Sequence, residues 1–328
     1  MVTGKGGTGK TTVAAALALA LATPGRRTLL AEVEGRQGIA QLFETEALPY
    51  EERRIAVAPG GGEVYALAID AERALLDYLR MFYKLGGAGR ALKKIGAVDF
   101  ATTVAPGLRD VLLTGKLCEA VRRVERPRGG GRAEPRRVYD HVVLDAPPTG
   151  RIARFLGAND EVAGLARVGP IHHHAQAVMR VLKSEETAVH LVTLLEEMPV
   201  QETVDGVAEL RATGLPVGRV VVNMARRQVP GVAPAQLAAA GDRAGELAQV
   251  LSHAGLGGAR RDGRAARLVA PLLAQAEEYA HRVALEQAQR AALDRLGLPV
   301  HELGLLEDGV DLSGLYALAT ELREQWPL

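Results

Sequence analysis

The segment Gly4-Lys5-Gly6-Gly7-Thr8-Gly9-Lys10-Thr11 fits the pattern G-x-x-x-x-G-K-[ST] of a phosphate-binding loop. Glycines let backbone N–H groups converge on phosphate oxygens, and the helix that follows offers them its positive N-terminal end. We expect Lys10 to reach the β- and γ-phosphates of a nucleotide and the Thr11 hydroxyl to be a ligand of Mg²⁺. The predicted nucleotide-binding residues are Gly4, Gly6, Gly7, Thr8, Gly9, Lys10, Thr11 and Thr12.

The composition indicates a globular protein without the charge excess of a nucleic-acid binder. Of 328 residues, 48% are apolar, which is enough for a buried core, and 40 Lys and Arg nearly balance 39 Asp and Glu. Proteins that hold nucleic acid through its phosphates usually carry a clear basic excess, so we expect no nucleic-acid partner. The length allows about two domains, although α/β folds of this size often form one unit.

Cys118 is the only cysteine, which excludes an intrachain disulfide and a CxxC redox pair. We expect it to be a small buried hydrophobe, and a thiolate shared across a symmetric dimer is the alternative. The apolar run 13–22 is too short to span a bilayer, which takes about 20 residues, and is predicted to be the helix after the loop. We therefore expect a cytoplasmic protein without stable membrane insertion.

Apolar runs of strand length alternate with helical stretches, which is the pattern of an α/β fold with a mostly parallel sheet covered by helices. The predicted strands are Thr28–Val33, Val64–Ile69, Val138–Leu144, Ala188–Leu194, Arg219–Val222 and Val300–Leu303. The predicted helices are Thr11–Ala22, Ala71–Leu85, Glu202–Thr213, Arg264–Leu296 and Ser313–Glu324. This organisation predicts a single P-loop domain over residues 1–328.

Two intervals contain helical patterns and no predicted strand. They are Ala71–Val124 and Ile152–Glu186, and we predict that they form a helical subdomain above the strand ends. The segment Arg126–Arg137 is rich in Gly, Pro and Arg and has no periodicity, so it is predicted to be a flexible loop, with a basic contact patch as the alternative. A second loose connection is predicted over Gly255–Arg264.

The strand that normally precedes a phosphate-binding loop is almost missing. Met1–Thr3 can supply only its last residues, although this strand is a central one in such sheets. We therefore expect that the true start lies upstream or that the chain is an N-terminally shortened form. In the short form the sheet would have an exposed gap at this position.

Two predicted strands end in acidic side chains. Glu32 and Glu34 lie two residues apart, so both carboxylates can point into one site, and exposure to solvent is the alternative. Asp145 follows the strand Val138–Leu144 and suits a Walker-B role, in which it holds a water molecule of Mg²⁺. The backbone N–H of Gly150 can sense the γ-phosphate and move when that phosphate leaves.

The stretch KGGTGKTT, with Lys5 ahead of Lys10, resembles the deviant Walker motif of a group of dimeric ATPases and GTPases. That group includes ParA- and MinD-like proteins, the nitrogenase iron protein and the ArsA/guided-entry ATPases. The resemblance implies that Lys5 reaches across a dimer interface to the phosphates bound by the partner. A cation there would stabilise charge on the transferring phosphoryl group, as an arginine finger does, and a solvent-exposed loop lysine is the alternative.

The stretch DAPPTGRIARFL, residues 145–156, resembles the D-T-A-P-T-G-x-x-x-R-x-L switch of the ArsA/guided-entry branch. In that branch an Asn at the place of Asn223 contacts the adenine edge, which favours ATP over GTP, and capping of the next loop is the alternative. The segment Pro199–Thr203 resembles the P-x-x-x-E-T stretch of the branch, to which we assign no nucleotide role.

The resemblance also implies roles for the acids after the first predicted strand. Glu34 would orient the attacking water, and Glu32 would assist the Mg²⁺ shell. The family has Asp at this place, and the extra methylene of Glu displaces the carboxylate by about an ångström, which can cost on the order of 100-fold in rate. The substitution therefore leaves open slow or absent hydrolysis.

The resemblance implies an ATP-dependent dimeric switch ATPase that couples Mg-ATP binding and hydrolysis to the opening and closing of a helical subdomain that binds a protein client. The dimer would be a homodimer of this chain or a heterodimer of this chain with a related ATPase chain. The alternative is a nucleotide-gated binding module with little or no hydrolysis, acting as one member of a heterodimer. The chain has one ATPase half and no CxxC, so arsenite export and zinc-clamped dimerisation are not expected.

Overall fold

The computed structural model describes residues 1–33, 35, 37–83, 106–125, 135–165, 170–226, 243–255, 264–307 and 309–326. Its strands are β1 (Val2–Gly4), β2 (Arg27–Glu32), β3 (Arg53–Val57), β4 (Glu63–Ala68), β5 (Val124–Glu125), β6 (Arg136–Arg137), β7 (His141–Asp145), β8 (Val189–Thr193), β9 (Val217–Ala225) and β10 (Val300–Gly304). Its helices are α1 (Lys10–Leu21), α2 (Gly38–Leu42), α3 (Ala71–Tyr83), α4 (Pro106–Arg122), α5 (Thr149–Leu165), α6 (Pro170–Leu182), α7 (Glu197–Ala212), α8 (Ala244–His253), α9 (Arg264–Asp294) and α10 (Leu312–Gln325).

Eight strands form one sheet in the order β10-β9-β8-β1-β7-β2-β4-β3. Every pairing in this sheet is parallel except that of β3 with β4. Parallel strands need helical crossovers, and these cover both faces of the sheet. The α/β fold with a mostly parallel sheet, predicted from the alternation of apolar runs, is thus confirmed.

The predicted strands and helices are present, with shifted bounds in several places. The strand β3 was missed because Arg53–Val57 is an edge strand, exposed or half-buried along its length, without the apolar run of an inner strand. The helix α7 begins at Glu197, five residues before its predicted start at Glu202, because Pro199 is tolerated in the first turn of a helix. The end of the predicted loop, Arg136–Arg137, pairs instead with β5.

After its polar first turn, the helix α1 is buried on all sides. Residues 13–20, VAAALALA, are apolar all round and lie buried between the sheet and α10. A helix that is apolar on every face requires apolar neighbours on every face, and α10 supplies Leu315, Leu318 and Leu322. This burial fixes the first turn of α1, which directly follows the phosphate-binding loop.

The opposite face of the sheet is covered by α4, α5, α6 and α7. Leu117 and Cys118 of α4 and Phe155 of α5 share one apolar core with Leu29 and Leu144 of the sheet. Cys118 is buried, as expected for a free cysteine, and burial raises the pKa of its thiol to about 12. The grouping of these helices into a subdomain stays a prediction, and residues 84–105 and 166–169 of its intervals lie outside the described residues.

The short strand β1 lies between β7 and β8 in the centre of the sheet. Val2 is the register partner of both Asp145 and His190. A cavity of about 230 Å³ lies beside Met1, and its lining includes His141, Ala188 and Trp326.

Some predicted features fall outside the described residues. They are residues 126–134 of the predicted flexible loop and 256–263 of the second connection. Within the described part of the chain, no helix combines the length and the apolar character needed to cross a bilayer.

Two buried histidines pack around the only tryptophan at the end of the sheet remote from the loop. The guanidinium of Arg219 donates to Nε2 of His301 over 2.8 Å, and Nδ1 of His190 accepts from the Arg219 backbone N–H over 3.0 Å. The Trp326 ring stacks on His301 and receives Arg219 over its face, with 4.7 Å from the guanidinium carbon to the ring centroid. Burial lowers the pKa of both histidines below the usual value, and nearby positive charge adds to the effect, first the N-terminal ammonium and then Arg219 at His190, and Arg219 at His301.

We predict that the protein loses stability as the pH falls below about 6.5, the pKa of histidine in an unfolded chain. Because the folded-state pKa values of His190 and His301 are depressed, their neutral forms stabilise the fold above pH 6.5, and this contribution decreases as the pH falls toward the folded values. Urea unfolding followed by Trp326 fluorescence measures the effect. His301→Gln keeps an acceptor for Arg219 and should weaken the pH dependence, whereas His253→Gln on exposed α8 should not; equal profiles for all three proteins would contradict the assignment.

Candidate functional site

The phosphate-binding loop connects β1 to α1 at the carboxyl end of the sheet. Its shape is held from inside, because both the backbone N–H and the hydroxyl of Thr8 donate to the Lys5 carbonyl, over 3.3 and 2.9 Å. Thr8 is buried, whereas Gly6 and Gly7 are exposed at the tip of the loop. The backbone at the tip can therefore approach a ligand closely.

Two glycines of the loop are required by close packing. A side chain at Gly4 would collide with the Val192 carbonyl of β8. Gly9 has φ of 83°, in the left-handed region, and a side chain there would collide with the Asn223 amide. Only glycine at these positions lets the loop lie between β8 and Asn223.

Lys10 and Thr12 belong to the first turn of α1. The Lys10 ammonium donates to the Lys5 carbonyl over 3.3 Å, so its side chain lies back over the loop. Thr12 is half-buried in the same turn. The turn carries no acidic residue, so its N–H groups and Lys10 give it a positive end.

The two residues predicted to hold Mg²⁺ lie in contact. The Thr11 hydroxyl donates to Oδ2 of Asp145 over 2.7 Å, and so joins the start of α1 to the end of β7. Two further bonds tie β1 to the chain after Asp145, from the Ala146 N–H to the Val2 carbonyl and from the Thr3 hydroxyl to the Pro147 carbonyl. Carboxylate and hydroxyl oxygens are hard donors, the type that Mg²⁺ prefers, so this pair fits the ion.

Glu32 lies beside Asp145, its register partner on the neighbouring strand. The Glu32 carboxylate is buried and accepts the backbone N–H groups of Gln37, over 3.1 Å, and Ile39, over 3.5 Å. Burial raises its pKa, and the backbone N–H groups of Ile39, Gln37 and Gly38 oppose that rise. The alternative of a solvent-facing acid is therefore wrong for Glu32, which holds the segment that leads into α2.

The segment after β2 is fixed at its far end by Gln37. Its side-chain amide exchanges two hydrogen bonds with the backbone of Leu48, one donated to the carbonyl over 3.2 Å and one accepted from the N–H over 2.6 Å. Gln37 also has φ of 56°. Glu34 lies between these anchored points but outside the described residues, so its predicted role stays a prediction.

Asn223 is buried at the end of β9 and donates from Nδ2 to the Thr8 carbonyl over 2.9 Å. The amide thus supports the phosphate-binding loop, while the contact with the adenine edge and the capping of the following loop both stay predictions. A cavity of about 510 Å³ opens beside it. Its lining is part apolar and part charged: Leu194, Leu195, Met224, Leu285 and Leu305, with Glu196, Glu197, Arg226, Arg282 and Glu286.

The sequence analysis missed one acid of the site, Glu202 of α7. Its Oε1 is 3.0 Å from the Lys5 ammonium, and its Oε2 accepts from the Thr149 hydroxyl over 3.3 Å. Lys5 therefore forms an ion pair within its own chain, and its role across a dimer interface stays a prediction. The resemblance of Pro199–Thr203 to a family segment was the available signal for Glu202. The contact between Glu202 and Lys5 could not be predicted, because the two residues are 197 positions apart and only the fold brings them together.

Gly150 lies exposed in the first turn of α5, immediately after the Pro147-containing segment. Backbone N–H groups of a first helical turn have no partners within the helix. The Gly150 N–H is therefore placed where a ligand could accept from it, and its role as a sensor of the γ-phosphate stays a prediction.

Comparison with known proteins gives relatives over the whole length of the chain. A family model described as Anion-transporting ATPase matches residues 1–184. The chain is 51% identical to ATPase BagA of Mycobacterium tuberculosis over 326 residues, which cover 99% of this chain and 92% of that protein.

More distant relatives match a smaller part. The chain is 28% identical over 253 residues to an arsenical pump-driving ATPase of Escherichia coli, with 67% of this chain and 38% of that protein covered. A protein of the same description from Acidiphilium multivorum is 26% identical over 247 residues, with the same coverage. Because the family model matches more than half of the chain and a relative of 51% identity spans nearly all of it, the chain belongs to the ArsA-type, anion-transporting ATPase family.

Proposed function

We propose that the chain binds Mg-ATP and hydrolyses it as a dimeric switch ATPase of the ArsA/guided-entry type. The observation that carries the proposal is the contact of 2.7 Å between Thr11 and Asp145 directly beside the glycine loop. It brings the two predicted metal ligands together at the positive end of α1. The family membership and the names of the relatives, which are ATPases, support the same activity.

The triphosphate would be held by the loop backbone and by Lys10. The contact of Lys10 with the Lys5 carbonyl is long, at 3.3 Å, so its exchange for a phosphate oxygen should be favourable. A hydrogen bond from an ammonium to an anionic oxygen is about twice as strong as one between neutral groups. Lys10 would turn from the Lys5 carbonyl toward the ligand by side-chain rotation.

Thr11 and Asp145 would hold Mg²⁺, Thr11 as a direct ligand and Asp145 through water. When bound, the ion supplies positive charge that neutralises the phosphate oxygens. Glu32, the neighbour of Asp145, would support this shell only indirectly, because its carboxylate already accepts two backbone N–H groups.

The base would occupy the cavity beside Asn223. Its volume of about 510 Å³ lies within the range of small-molecule sites, about 300–1,000 Å³. Asn223 uses one amide hydrogen for Thr8, which leaves its second hydrogen and its oxygen for a base edge. A donor and an acceptor side by side match the N1 acceptor and the N6 amino donor on the edge of adenine.

The dimer and the client belong to the same proposal. Lys5 would act across the interface on the partner's phosphates, and Glu34 would orient the attacking water. The helix α5 starts four residues after Asp145 and packs against α4 and α6, so a shift of its first turn would move helices remote from the nucleotide. We propose that these helices bind a protein client in the cytoplasm.

The first prediction concerns Lys5. The specific rate of phosphate release from Mg-ATP should rise with protein concentration in the parent, because the site is completed by a second chain. Lys5→Met should reduce that rate by about 1,000-fold, as the loss of a trans-acting cation does in other phosphoryl-transfer sites.

Lys183→Met is the matched control, since Lys183 pairs with Asp160 away from the loop, over 2.9 Å. It should retain the parent rate. A specific rate that is independent of concentration and unaffected by Lys5→Met would contradict the trans-acting role.

The second prediction separates the ATPase from the alternative, a nucleotide-gated binding module. The presence of Glu instead of Asp at position 34 favours the binding module, because a misplaced carboxylate can lower the rate of hydrolysis on the order of 100-fold. If Glu34 orients the attacking water, Glu34→Gln should lower the rate of phosphate release and leave ATP affinity unchanged. If Glu34→Gln and the parent hydrolyse ATP at equal rates, a group other than Glu34 activates the water. If the parent binds ATP but releases no phosphate, the binding module is favoured.

The third prediction concerns the base. ATP should displace a fluorescent ATP analogue from the protein at a concentration at least tenfold lower than GTP does. Displacement is measured by fluorescence anisotropy in Mg²⁺ buffer. If the two nucleotides displace the analogue at the same concentration, Asn223 does not distinguish the bases, and its role is to support the phosphate-binding loop.

A further inference from the structure

Glu202 connects the loop lysine to the first turn of α5. One carboxylate oxygen is 3.0 Å from the Lys5 ammonium, and the other accepts from the Thr149 hydroxyl over 3.3 Å. Thr149 is buried, whereas the two charged side chains are 29% and 38% exposed. The pair therefore lies at the edge of the site, where a second chain can reach it.

The packing of α7 brings Glu202 to Thr149. Glu202 and Gly206 are four residues apart and so lie on one face of the helix. A Cβ at Gly206 would lie 3.2 Å from the Thr149 methyl group, so glycine lets α7 approach α5 closely. The Thr203 hydroxyl donates to the Pro199 carbonyl over 2.8 Å and fixes the turn that carries Glu202.

The backbone of Lys5 is fixed, but its side chain can turn. The Lys5 carbonyl accepts from Thr8 and Lys10, which holds the peptide in place. Four methylenes give a lysine ammonium a wide range of positions at small energetic cost. Lys5 can therefore leave Glu202 without rearrangement of the loop.

Glu202 and a partner's phosphates compete for Lys5. A Lys5 side chain that extends toward a nucleotide held by a second chain would turn its ammonium away from Glu202, 3.0 Å distant in the single chain. Each closed dimer would require two such pairs to break, one in each subunit. The carboxylate thus stabilises the separate chain relative to the closed dimer.

We propose that Glu202 is a positioning residue that holds Lys5 within its own chain and releases it when the dimer closes. The inference rests on the proposed trans action of Lys5. Thr149 supplies the link to the nucleotide, because it begins the helix that follows Asp145. A shift of that turn on nucleotide binding removes one of the two contacts that orient the Glu202 carboxylate.

The pair can be measured directly by carbodiimide coupling, which joins a carboxylate and an amine in contact as an amide. In the nucleotide-free full chain, mass spectrometry should detect a Lys5–Glu202 cross-link. Addition of Mg²⁺ and a non-hydrolysable ATP analogue at high protein concentration should reduce it at least threefold. The Lys183–Asp160 pair, at 2.9 Å, is the internal reference and should couple equally in both states.

Loss of the Lys5–Glu202 pair should change how phosphate release depends on protein concentration. Glu202→Gln should lower the protein concentration that gives half-maximal phosphate release by about fivefold, the effect of removing two exposed ion pairs. Glu202→Asp, which keeps the charge, should lie between Glu202→Gln and the parent. Glu209→Gln, on an exposed position of the same helix, should match the parent.

A purely structural role for Glu202 is tested in the Lys5→Met background. There, Glu202→Gln should have no further effect on nucleotide-dependent self-association measured by sedimentation, because no ion pair remains to be broken. An equal effect in both backgrounds would overturn the proposal, as would a cross-link that is absent or unchanged by nucleotide.

These outcomes are distinct from failure of the proposed function. A parent that releases no phosphate at any concentration would count against the ATPase. In a parent shown to bind the ATP analogue, a Lys5–Glu202 cross-link that does not respond to nucleotide counts against the role of Glu202, whatever the rate of hydrolysis.

Discussion

The site depends on the position of one short strand. β1 has three residues, yet it pairs with β7 on one side and β8 on the other, and Gly4 lies so close to the Val192 carbonyl that only glycine fits. This contact determines where the loop leaves the sheet. From there, α1 starts beside Asp145, and Asn223 supports the loop from β9. A displacement of β1 would move all of these groups together.

Much of this arrangement could be predicted from local sequence. The glycine pattern and the apolar α1 predict a loop before a buried helix, and the apolar runs predict the inner strands of a parallel sheet. The meeting of Thr11 and Asp145 follows from these elements, because parallel strands present their carboxyl ends at one edge. The edge strand β3 has no such signal, since an exposed strand needs no apolar run.

The contacts that sequence analysis missed are of a different kind. Glu32 looked like a second site acid, and the structure shows that its carboxylate accepts backbone N–H groups of the chain before α2. That role depends on how the segment after β2 folds back, which residue types alone do not indicate. The pair of Lys5 and Glu202 depends on the packing of α7 against α5, and thus on the whole fold.

The single cysteine has a practical consequence for experiments on the proposed closure of two chains around the nucleotide. Cys118 is 3% exposed in the core between α4 and the sheet, and burial raises the pKa of its thiol to about 12. The reactive species is the thiolate, so the native thiol should remain almost inert to maleimides at neutral pH. A cysteine introduced at a surface position could be labelled selectively without removal of Cys118. The unmodified chain is therefore a suitable background for testing the proposed dimer by distance measurements with fluorescence transfer or spin labels.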